Sequence, residues 1–338
     1  MKKTGNTYCF QDPPRVLAYA SVVGKKEGEG PLSRDFDYIS DDNTFGEQTW
    51  EKAESRMMSM ALERALSKAH LPPSQLGCIL GGDLLNQCIG TTFALRPTNV
   101  PFLGLYGACS TMAEGLLVAS CLVESGFEQT ACAITSSHFC SAERQYRYPL
   151  EYGGQRPQTA QWTATASGAV VLQKGGMGVR ITHATPGRIA DPGVTSQANM
   201  GAAMALSAYE TISRFFQDTH TGPSHYDLIV TGDLGKVGHQ IVIDLFQRDG
   251  IDMRPTYDDC GLLLYDGSQD VHAGGSGCGC SAAVLCSYIL KAMEQGIFRK
   301  VLFCGTGALL SPTSCNQGQS IPGICHLICL EADEKWNM

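Results

Sequence analysis

Downstream of Glu47, apolar residues recur at three- and four-residue steps, through Trp50, Ala53, Met57, Ala61 and Ala65. That spacing predicts an amphipathic helix, and the Pro72-Pro73 pair lies just beyond its end. Other segments are apolar without period. Cys78 to Leu80, Gly168 to Leu172 and Val301 to Cys304 read as strands buried on both faces, the pattern of sheets sandwiched between helices. The acidic, glycine-containing stretch from Lys25 to Phe45 has little periodicity and is expected to be a surface insertion.

These patterns occur twice, and a repeat fixes architecture before any motif is considered. Arg15-Val16-Leu17-Ala18-Tyr19-Ala20 is matched by Val179-Arg180-Ile181-Thr182-His183-Ala184. Cys78-Ile79-Leu80-Gly81-Gly82-Asp83-Leu84 returns 150 residues later as Leu228-Ile229-Val230-Thr231-Gly232-Asp233-Leu234. Gly107-Ala108-Cys109-Ser110 is matched by Cys278-Gly279-Cys280-Ser281, and Ser167 to Leu172 by Pro322 to Leu327. The expectation is an α/β protein of two pseudo-duplicated halves, residues 1–178 (carrying the insertion 25–45) and 179–338. Each half is a βαβαββ-like unit, and together they stack as α/β/α/β/α layers.

Composition narrows the function classes. The 338 residues are 43% hydrophobic and 17% charged, an ordinary globular balance. The formal charge of -8 argues against a general binder of nucleic acid, which needs a net basic surface. Fifteen cysteines is an odd number and no secretory leader precedes them, so reduced thiols are expected rather than a disulfide framework. Their linear spacing contains no paired C-x-x-C set, so neither a metal site nor a cofactor is expected. The best apolar run, Gly115 to Val123, is flanked by Glu114 and Glu124 and is too short to span a bilayer.

The chemistry concentrates where a strand meets a small-residue turn and then a helix, at Gly107-Ala108-Cys109-Ser110. A thiol there faces the positive end of the helix dipole and free backbone N–H groups, which favour a nucleophilic thiolate. Cys109 also fits a plainer reading, a small residue packed where a larger one would clash. The glycine turn Gly274-Gly275-Ser276-Gly277 lacks a P-loop lysine and dinucleotide spacing, so it is expected to allow tight packing. Asp258-Asp259 and Glu331 to Lys335 read as solvated surface.

The duplicated halves and the strand-turn-helix around Cys109 resemble the thiolase and ketoacyl-synthase superfamily. Longer strings resemble one family in it, the stage V sporulation protein AD family: Gly82-Asp83-Leu84-Leu85-Asn86-Gln87, Phe102 to Thr111, Ser136-Ser137-His138, Ala142-Glu143-Arg144-Gln145-Tyr146-Arg147-Tyr148-Pro149, Gly274 to Cys278, and Gly305 to Pro312. The resemblance runs from about Gly5 to Glu331.

It implies a thiolase-like fold and a part in loading dipicolinic acid, as its calcium chelate, into developing spores. It also implies membrane proteins of the same operon as partners, a peripheral location at the inner spore membrane, and a homodimer. Condensing enzymes of the superfamily carry histidines beside the cysteine. Here Thr231-Gly232-Asp233-Leu234 and Gly275-Ser276-Gly277 stand where those histidines would be. His239 and His272 lie nearby in sequence as the candidates for replacing them.

The resulting expectation is a non-enzymatic binding protein, the alternative being an acyl transferase using Cys109. A planar dicarboxylate asks for hydroxyls, helix N-terminal amides or Arg forks, and for an apolar or aromatic wall. The residues expected to supply them are Asp83, Cys109, Ser110, Ser136, His138, Arg144, Arg147, Ser276 and Cys278, with Arg156 and the tyrosines 146, 148 and 152 close by. The Arg/Tyr segment equally suits an interface with the other half or a second subunit, and His138 equally suits a structural imidazole.

Overall fold

A computed structural model describes residues 1–146 and 155–333. The first half comprises β1 (Arg15–Val23), α1 (Trp50–Lys68), β2 (Cys78–Gly82), β3 (Phe102–Gly104), α2 (Thr111–Ser125), β4 (Thr130–Ser137), α3 (Phe139–Tyr146) and β5 (Ala166–Gln173). The second comprises β6 (Val179–Thr185), α4 (Met200–Thr219), β7 (Leu228–Thr231), α5 (Gly235–Arg248), β8 (Tyr257–Asp259), α6 (Cys278–Val284), β9 (Lys300–Ala308) and β10 (Gly323–Ala332).

Across the sheet the order is β8-β7-β9-β10-β6-β1-β5-β4-β2-β3, and it reads alike from either edge. In the first half β2 runs parallel to β3 and β4, β4 antiparallel to β5, and β5 antiparallel to β1. In the second half β7 runs parallel to β8 and β9, β9 antiparallel to β10, and β10 antiparallel to β6. The halves join where β1 and β6 pair at Arg15 and Arg180.

Helices complete the layers. α1 covers β1, β4 and β5 on one outer face, while α4, with α5 beside it, covers β9 and β10 on the other. Between the halves lies α2, touching β2 and β4 on one side and β9 and β10 on the other, with α6 against it. The helix that includes α2, Ala108–Ser125, is long and apolar enough by length and composition to cross a membrane, contrary to the sequence reading. Its apolarity has a different cause here. A helix with sheets on both sides has no face that requires polar residues.

The helix α1 forms as its periodicity predicts. Thr49 caps it by accepting from the Lys52 N–H, and Ala53, Met57, Met58, Ala61, Leu62 and Ala65 form its buried face.

Two expectations about surface residues, at Asp259 and at Glu331 to Asp333, are corrected, and the 25–45 segment, mostly at the surface, is firmly held. The 25–45 stretch is tied into the body of the protein. Tyr38–Ile39 pairs with β1, Leu32 and Ser40 are buried, and the buried Glu27 accepts hydrogen bonds from the Thr165 N–H and the Tyr265 hydroxyl. Asp259 is fully buried and does the work of a helix cap. It accepts from Thr231 Oγ1 and from the Leu234, Gly235 and Gly261 N–H groups at 2.7–3.0 Å. Glu331 and Asp333 are half-buried and ion-paired, Glu331 with Arg180 at 3.2 Å and Asp333 with Arg15.

Candidate functional site

The chain reaches Cys109 through a strained turn. Ala108 takes the left-handed conformation, with φ 52°, and the tight turn Ala108–Ser110 leads directly into α2. The turn is clamped from the second half by β9. A Cβ on Gly307 would lie 2.6 Å from the Gly107 carbonyl oxygen and 3.1 Å from the Ser110 nitrogen, so only glycine admits this approach. The equivalent turn before α6 is built the same way. Gly277 has φ 101°, and a Cβ on it would meet Ser137 Oγ at 2.6 Å.

Where the two turns and α3 converge, a cavity of about 250 Å³ opens. Cys109, Ala108, Tyr106 and Leu84 line it from the first half, Tyr146, Ala142 and Thr163 from α3 and the strand after it, and Ser276, Met200, Ala308, Leu309 and Leu310 from the second half. The wall is mostly apolar with a few hydroxyls, the usual make-up of a small-molecule site. Tyr106 and Tyr146 join their hydroxyls at 2.5 Å on one side of it.

Beside the thiol stands Asp233, fully buried. Its carboxylate accepts hydrogen bonds from Thr306 Oγ1 at 2.8 Å, from Ser276 Oγ at 3.1 Å and from the Gly277 N–H at 3.0 Å, and the Cys109 thiol is near enough to act on its pKa. Burial holds its carboxyl above the ordinary carboxylate range in spite of these donors. No histidine lines the cavity among the described residues. His272 bonds Pro157 O at 2.9 Å and Asp270 at 3.1 Å, and His239 stacks on Tyr257 with ring centroids 4.6 Å apart.

Of the residues expected at the site, Cys109 and Ser276 line the cavity. Others lie beneath its wall with their polar atoms engaged. Asp83 is fully buried and accepts from the Leu85 N–H and from Thr91 N–H and Oγ1 at 2.6–2.8 Å. Ser110 Oγ returns to the Gly107 carbonyl at 2.7 Å, Ser136 Oγ donates to Glu54 at 3.1 Å, and Cys278 Sγ donates to the Ser136 carbonyl at 2.9 Å.

His138 adopts the structural role. Its Nδ1 accepts from the Cys140 N–H, which leaves Nε2 to donate to the Asn43 carbonyl at 2.8 Å. Burial lowers its pKa, so the ring is neutral. Arg144 is turned outward to Glu51, Arg156 pairs with Asp270 at 3.3 Å while its guanidinium lies over Trp162, and Arg147 lies outside the described residues.

Sequence reasoning passed over three features: Asp233 as the thiol's partner, the apolar second-half wall, and Glu54. The first had a signal. Asp233 is the repeat of Asp83, 150 residues on, so the duplication that singled out one carboxylate also marked the other. Glu54 is 1% exposed on α1, accepts from Ser136 and Ser141, and is pushed up to about 8 by burial and by neighbouring Asp83.

The layered, mirrored architecture with a turn-borne cysteine between its halves defines a thiolase-like protein. Solved structures agree. Cerulenin-bound OleA from Xanthomonas campestris superimposes with a TM-score of 0.62 at 14% identity, covering 98% of this chain and 100% of that one. The 3-oxoacyl-[acyl-carrier-protein] synthase III of Aquifex aeolicus gives a TM-score of 0.56 at 12% identity, covering 94% and 99%. At such identities the likeness is one of fold.

The chain belongs to the stage V sporulation protein AD (SpoVAD) family, whose sequence profile it matches over residues 4–331. Stage V sporulation protein AD of Bacillus subtilis is 45% identical to it over 332 residues, 98% of each chain.

Proposed function

We propose that this sporulation-family protein binds dipicolinic acid, alone or as its calcium chelate, in the Cys109 cavity, and that it does so without catalysing acyl transfer. The observation that carries the reading is the pairing of Cys109 with a carboxylate in a cavity lined by no imidazole among the described residues. Condensation needs a group that takes up and returns protons and polarises a thioester carbonyl. Asp233 already receives hydrogen bonds from Thr306, Ser276 and Gly277 and offers no positive charge to hold a thiolate.

What remains suits a flat ring. Tyr106 and Tyr146 supply aromatic wall, while the turn leading into α2 supplies polar groups for a carboxylate. The cavity's described lining contains no arginine or lysine, so calcium in a chelate would supply the positive charge that the wall does not. In this role the protein supports uptake of dipicolinate into the developing spore, alongside membrane proteins of the same operon at the inner spore membrane. A second copy would pair through β3, an edge strand of the sheet, where Leu103 and nearby Tyr106 are 47% and 52% exposed.

The competing reading, acyl transfer through Cys109, rests on the thiol's position at the head of α2 inside the cavity. Calorimetric titration with dipicolinate, with and without calcium, and incubation with labelled acyl-CoA thioesters separate the two. Saturable dipicolinate binding with no adduct on Cys109 is the expected result. Rapid acylation of Cys109 with no dipicolinate affinity would reverse the assignment.

A further inference from the structure

A second cavity, of about 230 Å³, lies in the second half. Its walls include Cys9, His183, Cys329 and Glu331, together with Asp218, His225 and Lys300. In the linear sequence the first four are scattered, and no spacing connects them. The sheet register does. The short strand Thr7–Cys9 pairs with β6 so that Cys9 stands opposite His183, and β6 pairs with β10 so that His183 stands opposite Cys329. Directly opposed residues of antiparallel strands point to the same face, with Cβ atoms roughly 4.5–5.5 Å apart. Glu331 is two residues beyond Cys329 and shares that face.

A break in register between Ile181 and His183 aligns the row, the kind of bulge that re-aims a side chain. One ligand atom each from His183, Cys329 and Glu331 lies within 4.8 Å of the others. We propose that His183, Cys329 and Glu331, with Cys9 beside them, form a binding site for a zinc-class divalent metal ion.

The donor set is one imidazole nitrogen, one thiolate and one carboxylate oxygen. That combination suits zinc, and it leaves a fourth position to Cys9 or to solvent in the cavity. An outer contact is in place as well. His183 Nδ1 lies 3.0 Å from Thr182 Oγ1, a bond of the kind that fixes the ring of a ligating histidine. Cys9 is held weakly, its thiol 3.8 Å from Thr4 Oγ1.

Two cations face Glu331, Arg180 at 3.2 Å and Lys300 at 3.8 Å. They limit the affinity, and they also fix the carboxylate that they hold. A thiol binds metal only after losing its proton, so binding releases a proton and tightens as pH rises.

The test is to strip the full-length protein with chelator and titrate it with zinc against a chromophoric competitor, then with cobalt. The expected result is one equivalent of zinc, cobalt absorption with a thiolate charge-transfer band, and affinity that rises with pH. Cys329→Ser and His183→Gln should each weaken binding by more than the roughly 10–100-fold that loss of an outer contact costs. Lys300→Met, which removes one opposing cation, should strengthen it, and Cys109→Ser should leave it unchanged. Circular dichroism identifies any variant that fails to fold, and the lysine variant then carries the test. No stoichiometric zinc, a cobalt spectrum without the thiolate band, or binding lost in Cys109→Ser would each overturn the site.

Discussion

Asp233 lies near enough to Cys109 for the thiol to act on its pKa, and the two residues come from opposite halves of the duplicated fold. A carboxylate holds a thiol proton in place, whereas an imidazolium would stabilise the thiolate left behind. Asp233→Asn removes the charge and keeps the shape. Alkylation of Cys109 by iodoacetamide, followed by mass spectrometry of the modified peptide, should therefore run several-fold faster in the variant. An unchanged or slower rate would mean that Asp233 does not restrain the thiol.

Gly307 connects the second half to the cysteine turn by a backbone approach that no side chain permits. In Gly307→Ala the added methyl meets the Gly107 carbonyl and the Ser110 nitrogen, both main-chain atoms fixed by the start of α2. The cost is expected at about 1–3 kcal/mol of unfolding free energy, as for other overpacked positions. Urea denaturation measures it. Wild-type stability in the variant would show that the turn yields freely and that the geometry around Cys109 is not clamped.

The duplication was legible in the sequence because parallel strands buried on both faces must be apolar throughout, and such runs recur in the same sequence of features. The turn at Cys109 was legible for a similar reason, as a small-residue segment between an apolar strand and an apolar helix, although its sequence left the role of the thiol open. Charged residues were the ones misplaced. Asp259 looks like surface by type, yet its carboxylate satisfies three backbone N–H groups and a hydroxyl that would otherwise be buried without partners.

Glu54 was hidden in the helix pattern of α1, although its spacing to Met58, Ala61 and Ala65 puts it on the buried stripe. The cavity's second-half wall, Ala308 to Leu310, could not be read at all. It lies about 200 residues from Cys109 in the chain, and only the packing of α2 between the sheets brings the two together.

On the acid side, stability should depend on His326. Burial lowers its pKa from 6.5 to about 4, and its Nδ1 accepts from the Gly187 N–H at 3.1 Å, so the native ring is neutral. The unfolded chain takes up the proton first. The stability this residue contributes is therefore complete above about pH 6.5 and is lost as pH falls towards 4, by roughly 3 kcal/mol in all. His326→Asn keeps an acceptor for Gly187 and cannot be protonated. Urea midpoints between pH 7 and pH 4 should fall less in the variant, and parallel curves would dismiss the residue as a source of acid sensitivity.

On the alkaline side the deciding group is Glu54. Its carboxyl sits within a set of buried groups under the cavity wall, Ser136 and Ser141 donating to it and Asp83 close enough to raise its pKa further. Folding lifts that pKa from 4.5 to about 8, so the native protein keeps a proton that the unfolded chain releases near pH 4.5. Between those values the unfolded state binds fewer protons than the native one, and stability falls as pH rises. The contribution is full below about pH 4.5 and gone above about pH 8. Asp259, raised to about 7 by burial, acts with the same sign over a narrower interval. Glu54→Gln locks in the neutral form and keeps an acceptor for one serine, while the oxygen of the other can accept from the amide N–H. Thermal unfolding from pH 5 to pH 8.5 should show wild-type Tm declining with pH, a shallower decline in Glu54→Gln, and a shallower one still when Asp259→Asn is added. If the single variant follows the wild-type slope throughout, Glu54 is ionised in the native state, and the carboxylates beneath the cavity do not share a buried proton.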